Sequence, residues 1–190
     1  MNRRVVMVDH HDSYTFNLVH LVASVTGNLP EVVQHDELNA ESLLARRFSH
    51  IVLSPGPGNP DNERDFSVGG SLLLAANVPV LGVCLGMQGM VSVYGGRVGQ
   101  VTPSHGDVAV VHHDGTGIFS GVPQDFGAVR YHSLAALELP SVLTETAWCD
   151  PSIVMGVAHR TKPQWGVQFH PESILTEHGA AMIGNFLELS

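Results

Sequence analysis

The sequence predicts an α/β protein built on a largely parallel sheet, and three observations carry that prediction. Short apolar runs occupy residues 5–8 (Val-Val-Met-Val), 51–53 (Ile-Val-Leu) and 80–83 (Val-Leu-Gly-Val). They are too short for helices and do not alternate, which is the pattern of strands buried on both faces. Helical spacing recurs beside them, in Leu18, Leu21, Val22, Val25 and again in Met87, Met90, Val91, Tyr94. Strands alternating with helices make βαβ units, and βαβ units pair in parallel.

From about Val108 the pattern changes. Residues 108–111, the turn pair Asp114-Gly115 and then Ile118-Phe119 predict short antiparallel hairpins that complete or flank the sheet. Residues 176–189 place Met182, Ile183, Phe186 and Leu189 on one face of a closing helix. No repeat, linker or low-complexity stretch interrupts the chain, so residues 1–190 are expected to form a single domain. A chain of this size buries roughly two thirds of the surface its unfolded form exposes.

Composition narrows the function. With 44% apolar and 14% charged residues the chain reads as compact. No run approaches the roughly 18 apolar residues of a membrane span, and the first residues lack the apolar core of a signal peptide. A cytoplasmic location is therefore expected. The net charge of -9 comes without a basic run, which argues against a nucleic-acid partner. Cys84 and Cys149 lie far apart and are expected to be two thiols in a reducing compartment.

In open α/β sheets ligands bind beyond the carboxyl ends of the strands, and the unusual residues follow the apolar runs. Gly82-Val83-Cys84-Leu85-Gly86 sits between a strand and a helix, the setting of a nucleophile elbow with sulfur in place of oxygen. Unpaired N–H groups at the start of that helix favour thiolate, the attacking form. By itself this is equally the signature of a packed structural cysteine. A cysteine nucleophile needs a base and the base an orienter, and Gln168-Phe169-His170-Pro171-Glu172 offers both. Two positions apart in an extended segment, His170 and Glu172 point to the same side. A His-Pro-Glu loop alone is more often a solvated turn; its co-occurrence with the cysteine gives it weight.

Attack on an amide creates an oxyanion that needs backbone donors. Leu85 N–H is one candidate, and Gly56, in the rigid loop Ser54-Pro55-Gly56-Pro57-Gly58-Asn59-Pro60, is the other. Gln88, one turn past Cys84, can face the same site. Tyr131-His132-Ser133-Leu134 can present backbone groups to an amino-acid ligand. The pairs His10-His11 and His112-His113 point to opposite faces of a strand and match no zinc spacing, so no metal is expected.

Together with Asp12-Ser13-Tyr14-Thr15-Phe16-Asn17-Leu18 and Arg130, these segments closely resemble the class I glutamine amidotransferases, in the family's order over nearly the whole chain. The resemblance implies a three-layer α/β fold, glutamine hydrolysis through a thioester, and passage of ammonia to a larger subunit. Carried over by motif, Cys84 is the nucleophile, His170 the base and then acid, and Glu172 its orienter. Gly56 and Leu85 form the oxyanion hole, and Pro57, Gly58, Gln88, Ser133 and Leu134 complete the glutamine site. No cofactor is implied for this chain. The chain looks most like the small subunits that serve chorismate-using synthases, whose larger partner uses magnesium.

Asp65-Phe66-Ser67-Val68 and Pro163-Gln164-Trp165 are closer to the aminodeoxychorismate than to the anthranilate branch. The alternatives are an anthranilate synthase component, a glutaminase serving another acceptor such as those of the GMP or carbamoyl phosphate synthases, and a non-catalytic docking module. His10-His11 and Asp107 depart from the family pattern and are expected near a partner surface.

Overall fold

The computed structural model describes residues 3–149 and 153–189. Along the chain run β1 (Val5–Asp9), α1 (Thr15–Thr26), β2 (Glu31–Gln34), α2 (Ala40–Leu44), β3 (His50–Leu53), α3 (Ser67–Ala75), β4 (Val80–Val83) and α4 (Leu85–Val93). The second half adds β5 (Arg97–Gln100), β6 (Asp107–His113), β7 (Phe126–Arg130), β8 (Leu134–Glu138), β9 (Leu143–Cys149), β10 (Ile153–His159), β11 (Gln164–Val167) and α5 (Gly179–Glu188).

Nine strands form one sheet in the order β2-β1-β3-β4-β11-β10-β9-β6-β7, and β5 pairs with β8 in a separate ribbon. The strands from β2 to β11 are parallel, with Met7 opposite Val32 on one side and Val52 on the other, and Gly82 opposite Gly166. From β10 outward the pairing is antiparallel. The predicted hairpins thus extend the parallel sheet.

Period-two alternation sorts each strand between two cores. Val5, Met7 and Val52 face α1 and α5, packing with Leu18, Val22, Ile183 and Phe186. Val6, Val8, Ile51 and Leu53 face α2, α3 and α4, packing with Leu43, Leu72, Met90 and Val91. This is the three-layer arrangement. Burying a Leu, Ile or Phe side chain stabilises by about 1.5–3 kcal/mol. An exposed ion pair such as Arg46–Glu31 contributes about 0–1 kcal/mol, so the two cores decide the fold.

One expected strand does not form. Ile118-Phe119 lies in a 3-10 turn at Gly117–Phe119. The Asp114 carboxylate accepts from Thr116 N–H at 2.8 Å, and Asn185 on α5 donates to the carbonyls of Ile118 (2.9 Å) and Ser120 (2.7 Å). With those groups taken by side chains, the segment has no ladder to join, and β6 pairs instead with β7. The closing helix begins at Gly179, and Leu189 caps it while packing on the same core as Met182 and Phe186.

The outer edge of the sheet is β7, and its free groups are covered. Gly127 N–H donates to the Glu177 carboxylate (2.7 Å), Val129 N–H to Thr176 Oγ1 (3.1 Å), and Glu177 N–H returns to Gly127 C=O (2.9 Å). The covering segment is the continuation of the His170-Pro171-Glu172 loop.

Candidate active site

Cys84 follows β4 with φ 51° and ψ -100°, a conformation that costs a non-glycine residue about 1–3 kcal/mol and persists only where the surroundings impose it. Its N–H donates to Val167 C=O on β11 at 2.8 Å, and its carbonyl accepts from Gln88 N–H as the first bond of α4. Glycine on both sides is what lets the turn close. A Cβ on Gly82 would stand 2.6 Å from Gly86 O, and one on Gly86 would stand 2.5 Å from Leu53 O. The sulfur is thus fixed at the carboxyl end of the parallel strands, before the N-terminus of α4, where the Leu85 N–H has no helical acceptor.

His170 arrives from the far side of β11. Its backbone does not continue as the extended segment expected from sequence; it enters a turn in which Ser173 N–H donates to His170 C=O at 3.2 Å. The pairing survives because the turn folds Glu172 back, with Nδ1 2.6 Å from Glu172 Oε1 and both side chains buried. With Nδ1–H directed at the carboxylate, the other ring nitrogen is left for the Cys84 sulfur, which lies close enough to raise the ring's pKa. Burial alone would lower the His170 pKa. The hydrogen bonds and charges of Cys84 and Glu172 outweigh it and carry the ring up to about 10.

The imidazolium is therefore the form expected at neutral pH, and the sign of its linkage follows. Folding raises the pKa, so the stabilisation is whole below 6.5 and is lost as pH climbs toward about 10. In Glu172→Gln, an NMR titration of the ring nitrogens should show the midpoint falling back toward neutrality, with less stability lost over that window. An unchanged midpoint would show that the carboxylate does not hold the charge.

Gly56, Pro57, Gly58, Cys84, Gln88, Ser133 and Leu134, together with Tyr131 and His132, line one cavity of about 180 Å³. Six of the seven residues expected to hold glutamine are thus gathered on the cysteine. Leu85 is the exception: its side chain is buried in the core, and only its N–H can serve. Gly56 is wedged so tightly that a Cβ would stand 2.6 Å from both His10 Cβ and Leu85 Cδ2. Gly58 has φ 96° and is held beside Asp65, whose carboxylate accepts from Asn59 N–H at 2.9 Å.

Three residues of these motifs are given no side-chain role by the sequence. Tyr14 and Tyr131 stack at 5.4 Å, and each meets the His170 ring edge-on, at 5.7 and 5.3 Å. With His170 itself they line a second cleft of about 460 Å³, bordered also by Asn17, His20 and Ile174, and Tyr131 lines the cysteine cavity as well. Gln168, fully buried, directs its amide nitrogen at the Cys84 sulfur from 3.5 Å. The motif spacing locates these residues near the site, but only the fold gives them partners.

The departures from the family pattern separate in space. His10 is buried, not on a surface; its ring lies between His35 and Phe66, and burial first, then the charge of His35, pushes its pKa down to about 3. His11 and Asp107 are exposed. His11, His35 and Asp36 bring donor atoms within 4.8 Å of one another, a grouping across two strand ends that adjacent-histidine spacing does not reveal. These groups already have protein partners: His11 Nε2 lies 3.1 Å from Asp36 Oδ2, and His35 Nδ1 lies 3.1 Å from Ser67 Oγ.

A three-layer α/β fold with a cysteine on a strained strand-to-helix turn, near a buried histidine paired with a carboxylate, is the arrangement of a class of thiol-nucleophile enzymes. The chain belongs to the class I glutamine amidotransferases, whose family model matches residues 6–189. It is 47% identical over 98% of its length to an aminodeoxychorismate synthase from Streptomyces griseus, of which it spans 26%, about a quarter. It is 46% identical over 97% of its length to anthranilate synthase component 2 of Halobacterium salinarum, covering 96% of that protein. A crystal structure of a putative GMP synthase component from Thermoplasma acidophilum superposes with a TM-score of 0.89 at 25% identity, covering 98% of this chain and 93% of that one. No helix among the described residues is long and apolar enough to cross a membrane.

Proposed function

We propose that this chain hydrolyses L-glutamine to L-glutamate and ammonia and delivers the ammonia to a larger chorismate-using synthase subunit. The observation that carries the reading is Cys84, close to the paired His170 and Glu172, lining a cavity with Gly56, Gly58, Gln88, Ser133 and Leu134. Cys84 thiolate attacks the side-chain amide carbon, and the N–H groups of Leu85 and Gly56 receive the oxyanion. The His170 imidazolium gives its proton to the departing nitrogen, which leaves as ammonia while the thioester forms. Neutral His170 then takes a proton from water as that water attacks the thioester, and glutamate leaves with the thiolate restored.

The second reaction belongs to the larger partner, as does the magnesium ion such a partner would use. Ile174 lines the cleft that borders His170 and is 98% accessible. An exposed apolar side chain at the mouth of an ammonia-releasing site suits a docked partner. Similarity to the Streptomyces griseus synthase and residues 65–68 and 163–165 favour the aminodeoxychorismate branch. The second reading, anthranilate synthase, is favoured by the Halobacterium component of matching length.

The test is glutamate release by the purified chain, alone and with each candidate partner, with the aminated product identified by mass and chromatography. Partner-stimulated release with 4-amino-4-deoxychorismate is expected. Anthranilate moves the assignment to the second reading, and no release with any partner overturns both.

A further inference from the structure

A chain of buried amides runs from the wall of the cavity to the nucleophile, and its direction is fixed at one end. Leu134 C=O can only accept. It takes Gln88 Nε2 at 2.9 Å and the Nδ1–H of His132 at 2.9 Å. His132 can donate there because Arg130 Nε donates to its other nitrogen, Nε2, at 3.0 Å. The carbonyl therefore requires the NH2 end of Gln88. The same NH2 reaches Gln168 Oε1 at 3.2 Å, so Gln168 must turn its oxygen toward Gln88 and its own NH2 away. That NH2 points at Cys84 Sγ, 3.5 Å distant.

An amide N–H cannot accept a proton from a thiol, and it binds a charged sulfur far better than a neutral one. We propose that Gln168 is a positioning residue that holds Cys84 in its attacking, thiolate form, and that Leu134, through Gln88, sets the orientation that lets it do so. Beside the nearby imidazole of the His170 loop, the sulfur then has an amide donor whose direction is set by β8, the strand that also lines the cavity. A ligand that draws on the Leu134 carbonyl loosens the Gln88 bond and with it the donor on the sulfur. Binding and nucleophile charge are thereby coupled. The inference rests on the glutaminase reading only for the identity of that ligand.

The test needs no turnover. On the full chain at pH 7 without glutamine, the rate of Cys84 alkylation by iodoacetamide is followed by mass spectrometry of the Cys84 peptide, with the ultraviolet absorbance of the thiolate as a second readout. Gln168→Met should lower the rate by about tenfold, the scale of one hydrogen bond to a charged group. Gln168→Glu, equal in shape but offering the sulfur an oxygen, should lower it further. Gln88→Met, which frees Gln168 to flip, should give an intermediate loss and stands in if neither Gln168 variant folds. Wild-type alkylation and absorbance in the folded variants overturn the proposal. If alkylation falls as expected and no partner elicits glutamate, the relay stands and the glutaminase reading fails.

Discussion

Cys84→Ala is expected to lower glutamine-dependent glutamate release by on the order of 10⁴-fold or more, the scale seen when a covalent nucleophile is removed. Ammonia-dependent amination in the assembled complex should be untouched, because the substituted side chain is small and lies on the glutamine side of the assembly. The fold should also tolerate the change: Cys84 is held by its backbone bond to Val167 and by Gly82 and Gly86, none of which involves sulfur. Combining Cys84→Ala with a change at His170 or Glu172 should add little, since the three act as one unit. Product formation from glutamine that survives the single substitution would mean that Cys84 is a packed thiol and the mechanism above is wrong.

The second large effect is expected at a residue with no polar side-chain atoms in the site. A Cβ on Gly179 would stand 2.0 Å from Pro171 O and 3.0 Å from Pro171 C, both backbone atoms that no rotamer change can clear. Either α5 or the His170-Pro171-Glu172 loop must yield. The helix is anchored by Met182, Ile183 and Phe186, all buried, whereas the loop is held mainly by hydrogen bonds. We expect the loop to give way. Displacing a catalytic group by about 1 Å costs on the order of 10²-fold in rate, so Gly179→Ala should lower kcat by about that factor with KM for glutamine little changed. Steady-state kinetics beside a thermal melt would check it; full activity with an unshifted melting temperature would show that the helix start absorbs the extra carbon.

Much of this architecture is legible before folding, for reasons specific to each element. β1, β3 and β4 are central and covered on both faces, so their residues are apolar almost without interruption. β2 is an edge strand of four residues with one buried side chain, Val33, and its Glu31-Val32-Val33-Gln34 pattern resembles a loop. α3 contains Gly69 and Gly70, poor helix formers. Gly69 is there because a Cβ at that position would stand 2.6 Å from the Phe66 ring, a reason the one-dimensional pattern cannot hold. In the site, Cys84 is legible because the backbone turn demands glycines at fixed offsets, and His170-Glu172 because their pairing is local. Gln168 and Tyr131 depend on contacts 84 and 39 positions away in sequence, with Cys84 and His170 respectively. Ile118-Phe119 misleads because its turn is dictated by Asp114 and by Asn185 on a distant helix.

The segment that carries the base also shields the outermost strand. Thr176 and Glu177 occupy the groups of β7 that a neighbouring chain could otherwise add to as a tenth strand. Damage to the His170 loop therefore exposes a template for intermolecular β-pairing as well as silencing the chemistry. Loop variants should be lost to aggregation out of proportion to their change in thermodynamic stability, and selection on the catalytic loop is at the same time selection for a chain that resists edge-to-edge association while it folds.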